Sequence, residues 1–226
     1  MTEWNAAQFF EKDHWHRFTT NCAEGGERHW LDLWEPDAKL LVQVAEKLIG
    51  LDDNTWILEV GGGAIGHIRW FPKAQLFAID PLRELFEERL ANLDLSGYNV
   101  RSDVTYLGGR AEEFEVGGEE IPPFELILIL NCLDHCDDPG KALDALRPTL
   151  SIGGYMFEST TVFSGGHPEL DPEYTKMHPH IFRGDELTNL IYDHGFVMVQ
   201  EPLTDEWCGE QGQVFSQDLH LWKRRW

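Results

Sequence analysis

The stretch Trp56-Ile57-Leu58-Glu59-Val60-Gly61-Gly62-Gly63-Ala64-Ile65-Gly66-His67 places the strongest constraint on the fold. An apolar run of strand character ends in an acidic residue and passes straight into Gly61-x-Gly63-x-x-Gly66. Ile68, Arg69, Trp70 and Phe71 then begin a short helix that Pro72 stops. Gly61 and Gly63 allow backbone angles and a close ligand approach that a β-carbon would block, and Gly66 lets the helix pack against the strand. Such a turn can cradle a nucleotide, but the glycines alone fit a dinucleotide site, a mononucleotide site or an ordinary tight turn.

Two acids narrow the choice. Glu59 stands two residues before the first glycine, where a negative charge gives a bound pyrophosphate nothing but favours a cationic ligand. Leu76-Phe77-Ala78-Ile79-Asp80-Pro81 reads as a second strand ending in an acid about 20 residues after the glycines, the spacing at which a carboxylate meets ribose hydroxyls. Nicotinamide cofactors share that Asp, so Glu59 is the discriminating residue.

Glu59-x-Gly61-x-Gly63-x-x-Gly66 followed by Ile79-Asp80 resembles motifs I and II of class I S-adenosylmethionine-dependent methyltransferases. The resemblance implies that the loop of Gly61, Gly63 and Gly66 lies against the methionine moiety and ribose, and that Asp80, followed by Pro81, binds the ribose diol. A third strand around Val104-Thr105-Tyr106-Leu107 leads to Gly108-Gly109-Arg110-Ala111-Glu112. In the family a small residue and an acid at this place border the adenine, which makes Arg110, Ala111 and Glu112 candidates. Phe124 to Leu130 is a near-continuous apolar run, as expected of a central strand covered on both faces. It ends in Asn131-Cys132-Leu133-Asp134-His135-Cys136-Asp137-Asp138-Pro139, ahead of a helix from Gly140 to about Leu150. This resembles motif IV of the ubiquinone/menaquinone-methyltransferase-like subgroup, the methyltransferase type 11/12 enzymes. Ile152-Gly153-Gly154, the turn into a fifth strand, extends the likeness over Thr55 to Glu158. It places Asn131 and Cys132 beside the cofactor and His135 near the transferred methyl group or, structurally, under the cofactor.

Residues 1–50 precede the first strand and are rich in aromatics. Helical spacing in Trp30, Leu33, Trp34 and again in Leu40, Leu41, Val44, Ala45, Leu48 predicts two helices, the second ending at Gly50 and packing on the sheet. In methyltransferases similar to this chain such an extension forms a lid, so Trp4, His14, Trp15, His16 and Trp30 are candidate substrate contacts, with anchoring of the extension as the competing role. Ser159 to Gly184 lacks clear periodicity and is long for a plain connection, which suggests a functional loop. Its His178 and His180, like His135, are candidate general bases, since imidazole titrates near neutral pH. No metal site is expected: Cys132-x-x-x-Cys136 lacks a second pair, and the only acids near the two histidines of the loop are Asp171 and Glu173.

At 226 residues the chain fits one α/β domain over 51–226 with the helical extension over 1–50. A net charge of −22 argues against a surface that tracks nucleic-acid phosphates. The chain opens on a polar segment with no signal-peptide pattern, and no apolar run approaches the ~20 residues of a membrane span. A cytoplasmic protein with no nucleic-acid or membrane partner is expected, monomer or homodimer being left open. Gly195 to Gln200 and Ser216 to Trp222 predict a sixth strand and an antiparallel seventh joined by a hairpin, which a plain nicotinamide-binding domain lacks, with Glu201 to Val214 as an insert. The expected fold is therefore a Rossmann-like seven-stranded methyltransferase sheet with an antiparallel last strand and helices on both faces. The expected function is transfer of a methyl group from S-adenosylmethionine to an O or N atom of a small-molecule acceptor. The alternatives are a protein or peptide methyltransferase, a non-catalytic S-adenosylmethionine-binding subunit and a nicotinamide oxidoreductase.

Overall fold

The computed structural model describes residues 7–12, 27–63, 65–90, 98–115, 121–166, 172–208 and 213–225. The elements in chain order are a helical turn pair at 7–12 (α1), α2 (Glu27–Ile49), β1 (Trp56–Val60), β2 (Gln75–Asp80), α3 (Arg83–Leu90), β3 (Thr105–Gly108), β4 (Phe124–Leu130), α4 (Pro139–Leu146), β5 (Leu150–Gly166), α5 (Pro172–Met177), β6 (Phe182–Arg183), α6 (Glu186–Asp193), β7 (Phe196–Cys208) and β8 (Gln213–Arg224). Short 3₁₀ turns at His67–Trp70, Ala111–Glu113, Leu133–His135 and Arg147–Thr149 link them.

The strands pair in the order β3-β2-β1-β4-β5-β8-β7, and β6 pairs separately with β5. β1 to β5 run parallel, while β8 is antiparallel to both β5 and β7. Side-chain alternation divides the central strands between two layers. Leu58, Val60, Ile127 and Ile129 join Leu143, Leu146, Leu187 and Ile191 on the α4/α6 face. Ile57, Leu126 and Leu128 join Leu41, Ala45, Ile68 and Phe71 on the α2 face. Both faces of β1 and β4 are thus dry, with Ile57, Leu58, Ile127, Leu128 and Ile129 at 0% exposure. Each such side chain contributes about 1.5–3 kcal/mol of transfer free energy, which is why these unalternating apolar runs become central strands.

Three expectations are corrected. The spacings around Trp30 and from Leu40 to Leu48 belong to one helix, α2, and not two: it continues through Pro36. Leu31, Ala38, Leu41 and Ala45 are all nearly inaccessible, so one apolar face runs past the proline, and its burial outweighs the roughly 3 kcal/mol that an interior proline costs. The region after residue 158 does not start as a loop, because β5 extends to Gly166 in register with β8. Glu201 to Val214 is no loop insert, since β7 and β8 continue as a long hairpin through Cys208 and from Gln213. The seven strands expected are present on one path with β8 antiparallel, and the two-residue β6 adds to the edge of β5. Among the described residues, no helix is long and apolar enough to cross a membrane.

Candidate functional site

The carboxyl ends of β1, β2 and β4 open onto one crevice, built around the glycine loop. The Gly61 amide donates to the Ile79 carbonyl (2.9 Å), which ties the loop to the end of β2. Gly61 has φ +70°, and a β-carbon there would stand 2.4 Å from Cys132 Sγ. Only glycine fits both the angle and the gap. Beneath the loop lies Glu59, 1% exposed. Its carboxylate accepts from the backbone amides of His67 (2.9 Å) and Ile68 (3.2 Å), so both oxygens cap the first amides of the 3₁₀ turn. Gly66 leaves room for that carboxylate, since a β-carbon at residue 66 would lie 1.9 Å from Glu59 Oε2.

Asp80 ends β2 with 6% exposure and accepts from the amides of Leu82 (2.7 Å) and Gly63 (3.2 Å). Burial pushes its pKa up to about 7 against these two bonds, and the charges of Glu11 and Glu59 add to the rise. Pro81 is exposed in the turn that follows. On the neighbouring wall, Ala111 is buried in its 3₁₀ turn. Glu112 accepts from the amides of Asp137 (2.6 Å) and Asp138 (3.3 Å), and Arg110 bridges Glu112 (3.3 Å) and Asp137 (3.1 Å). These polar groups brace the turn Ala111–Glu113 against the loop leading into α4.

Asn131 takes φ +51° at the end of β4, a left-handed conformation that Asn tolerates better than most residues. Cys132, next in sequence, is the side chain that Gly61 touches. Its thiol is pushed well up by the Cys136 thiol and by burial, so it is held as the neutral S–H. Beyond it, Asp134 is 0% exposed, and among the described residues neither of its carboxylate oxygens has a hydrogen-bond partner. Oδ2 lies 3.6 Å from His178 Nε2, and Oδ1 lies 4.0 Å from His135 Nε2. The two imidazoles face each other with centroids 4.4 Å apart.

Of the three histidines singled out as bases, the structure thus brings His135 and His178 together. His180 donates its backbone amide to the Asp134 carbonyl (3.2 Å), while its ring contacts the Asp137 carbonyl (3.1 Å) and stacks on Phe182. The sequence reading missed Asp134 and Glu11. Asp134 was legible as an acid next to His135 in one turn, but its pairing with His178 needs the fold. Glu11 comes from α1, whose carboxylate lies 3.9 Å from His135 Nδ1 and accepts from Gln8 (2.9 Å). Trp4, His14, Trp15, His16 and Asp171 lie outside the described residues, as do the side chains of Trp30 and Glu173.

No family model and no curated protein sequence matches the chain. Solved structures do. YcgJ from Bacillus subtilis superposes with a TM-score of 0.59 at 15% identity, over 85% of this chain and 99% of that one. The N-methyltransferase NodS from Bradyrhizobium japonicum, solved with S-adenosylhomocysteine, gives 0.57 at 13% identity over 84% and 86%. The chain has the class I methyltransferase fold. That fold hosts more than one chemistry, because the [4+2]-cyclase SpnF also superposes, at 0.58 and 11% identity over 81% and 79%. On a class I methyltransferase fold the glycine loop and Asp80 stand at the crevice outside the strand ends, where ligands of open parallel sheets bind.

Proposed function

We propose that the protein is an S-adenosylmethionine-dependent methyltransferase acting on an O or N atom of a small-molecule acceptor. The observation that carries this reading is Asp80, a nearly buried carboxylate at the end of β2 and hydrogen-bonded to the glycine loop, where this reading puts the ribose. A diol donating two O–H groups would satisfy it, and the sulfonium would offset the local excess of negative charge. Gly61, Gly63 and Gly66 would line the methionine and ribose, Glu59 would hold the loop in shape, and Pro81, Arg110, Ala111 and Glu112 would border the adenine. Asn131 and Cys132 would flank the sulfur, leaving the Asp134–His135–His178 cluster on the acceptor side. The bonding step is an in-line displacement dominated by positioning and exclusion of water.

The extension supports an enclosed acceptor. Leu31 and Ala38 of α2 pack with Ile65, next to the last loop glycine, and with Trp70, Leu82 and Phe86. α1 brings Glu11 to His135 and stacks Phe10 under Lys176 of α5 (5.3 Å). We read residues 1–50 as a lid on the catalytic domain of 51–226, with the aromatic contacts of Trp4, Trp15, His16 and Trp30 on the acceptor. Protein or peptide methylation, a non-catalytic binding subunit and a rearrangement such as a cyclisation are the rivals. Incubation with methyl-labelled S-adenosylmethionine and a panel of small alcohols, phenols and amines tests the reading. Label in a small product, lost when residues 1–30 are deleted while cofactor binding persists, supports it. Label in protein only, or none, refutes it.

A further inference from the structure

Asp134, His135 and His178 form a group that neither the fold nor the cofactor reading accounts for. Each offers one ligand atom, and these atoms lie within 4.8 Å of one another. Asp134 is the informative member. A carboxylate at 0% exposure, with neither oxygen hydrogen-bonded among the described residues, has given up its hydration and faces only two imidazoles beyond hydrogen-bond distance. That is costly unless a cation is paired with it. Its two oxygens are aimed separately, one toward each imidazole.

We propose that these three side chains bind a divalent transition-metal ion. Two imidazole nitrogens and one carboxylate oxygen are a donor set for Zn²⁺, Fe²⁺ or Co²⁺ and too nitrogen-rich for Mg²⁺ or Ca²⁺. In tetrahedral coordination at about 2.0–2.2 Å, ligand atoms stand about 3.4 Å apart. The 3.6 and 4.0 Å separations, with the remaining pair within 4.8 Å, therefore have to shorten by about 1 Å or less on average when the ion binds. The three come from two segments, the turn Leu133–His135 and the stretch after α5, so the ion would pin the residues following α5 to the end of β4. Glu11, 3.9 Å from His135 Nδ1, is placed to take the second proton-bearing nitrogen and so fix which nitrogen faces the ion. Three protein ligands leave at least one position open, the pattern of a catalytic and not a structural site.

This assignment deepens the methyltransferase reading without depending on it for its test. An acceptor hydroxyl bound at the open position would have its pKa lowered and lose its proton to solvent. The oxygen would then attack the sulfonium methyl carbon, forming the C–O bond as the C–S bond breaks and its electron pair stays on sulfur, which leaves a neutral thioether.

The test is metal binding by the full chain after treatment with a chelator, in the absence of any cofactor. Titration with Zn²⁺ by calorimetry and with Co²⁺ by ligand-field absorption should show one ion per chain, a raised thermal midpoint and nitrogen-type Co²⁺ bands. Asp134→Asn and His178→Gln should each weaken binding about a hundredfold or more, Glu11→Gln about tenfold, and His194→Gln, at a half-buried histidine paired with Asp144, not at all. Asp134→Asn keeps the shape and removes the buried charge, so the metal-free variant should melt higher than the metal-free wild type and lose the rise on adding Zn²⁺. Absence of binding, binding indifferent to Asp134→Asn and His178→Gln, or a lowered midpoint in metal-free Asp134→Asn would overturn the proposal. Binding of S-adenosylhomocysteine to the same preparation reports on the crevice separately, so either reading can fail alone.

Discussion

The Glu59 carboxylate occupies the space that a side chain on residue 66 would need, with Oε2 standing 1.9 Å from the position of a β-carbon on Gly66. The acid of the motif and its last glycine are thus one steric unit. The carboxylate reaches the amides of His67 and Ile68 because residue 66 is bare. Gly66→Ala must displace Glu59, leaving a buried charge and two amides without partners. We expect a loss of about 2–4 kcal/mol in chemical unfolding. Glu59→Gln, which keeps one acceptor, should lose about 1–2 kcal/mol.

Gly61 meets Cys132 in the same manner, at 2.4 Å. Gly61→Ala should weaken cofactor binding at least about tenfold, because both the φ of +70° and the clash oppose alanine. Adding Cys132→Gly removes the clash and leaves the angle, so the double variant should recover part of the affinity. Full recovery, or none, in a calorimetric double-mutant cycle would contradict this geometry.

Asp80 makes the free protein pH-sensitive in a definite sense. Its folded pKa, about 7, lies above the ordinary carboxylate value because of burial. The stabilisation of its neutral form is complete below pH ~4 and is lost as pH rises through about 7. The thermal midpoint of the wild type should fall over that interval relative to Asp80→Asn. A ribose diol donates to the ionised form, so S-adenosylhomocysteine binding near pH 6.5, about half a unit below that pKa, should release a fraction of a proton. Calorimetry in buffers of different ionisation enthalpy reads that number, and no proton exchange would exclude the assignment.

Glu158 of β5 and His220 of β8 face each other across the antiparallel pair, 3.0 Å apart and almost fully buried. His220→Ala should cost about 3–5 kcal/mol by leaving the carboxylate buried alone. The paired change Glu158→Leu with His220→Leu should restore most of it. Urea unfolding of the single and double variants measures the difference.

What the sequence disclosed follows from how local its causes are. The glycine loop, Asp80 and the apolar run of β4 are set by neighbours in the chain, and a reader of residues can place them on strand ends. The length of β5, β7 and β8 was hidden because their outer halves, such as Ser159 to Phe163, are held by cross-strand partners and show no apolar alternation of their own. Pro36 concealed the continuity of α2, which is decided by burial against the sheet and the glycine loop. The grouping of Asp134 with His135 was visible in one turn, whereas His178 and Glu11 arrive from segments that only tertiary structure brings near.

The most direct test is calorimetric titration of the purified protein with S-adenosylhomocysteine and, separately, with oxidised nicotinamide dinucleotide, repeated on Asp80→Ala. The account predicts micromolar binding of the first, little of the second, and loss of the first by about a hundredfold in Asp80→Ala, which forfeits two charge-assisted hydrogen bonds. Binding of the dinucleotide alone, or S-adenosylhomocysteine binding unaffected by Asp80→Ala, would contradict it.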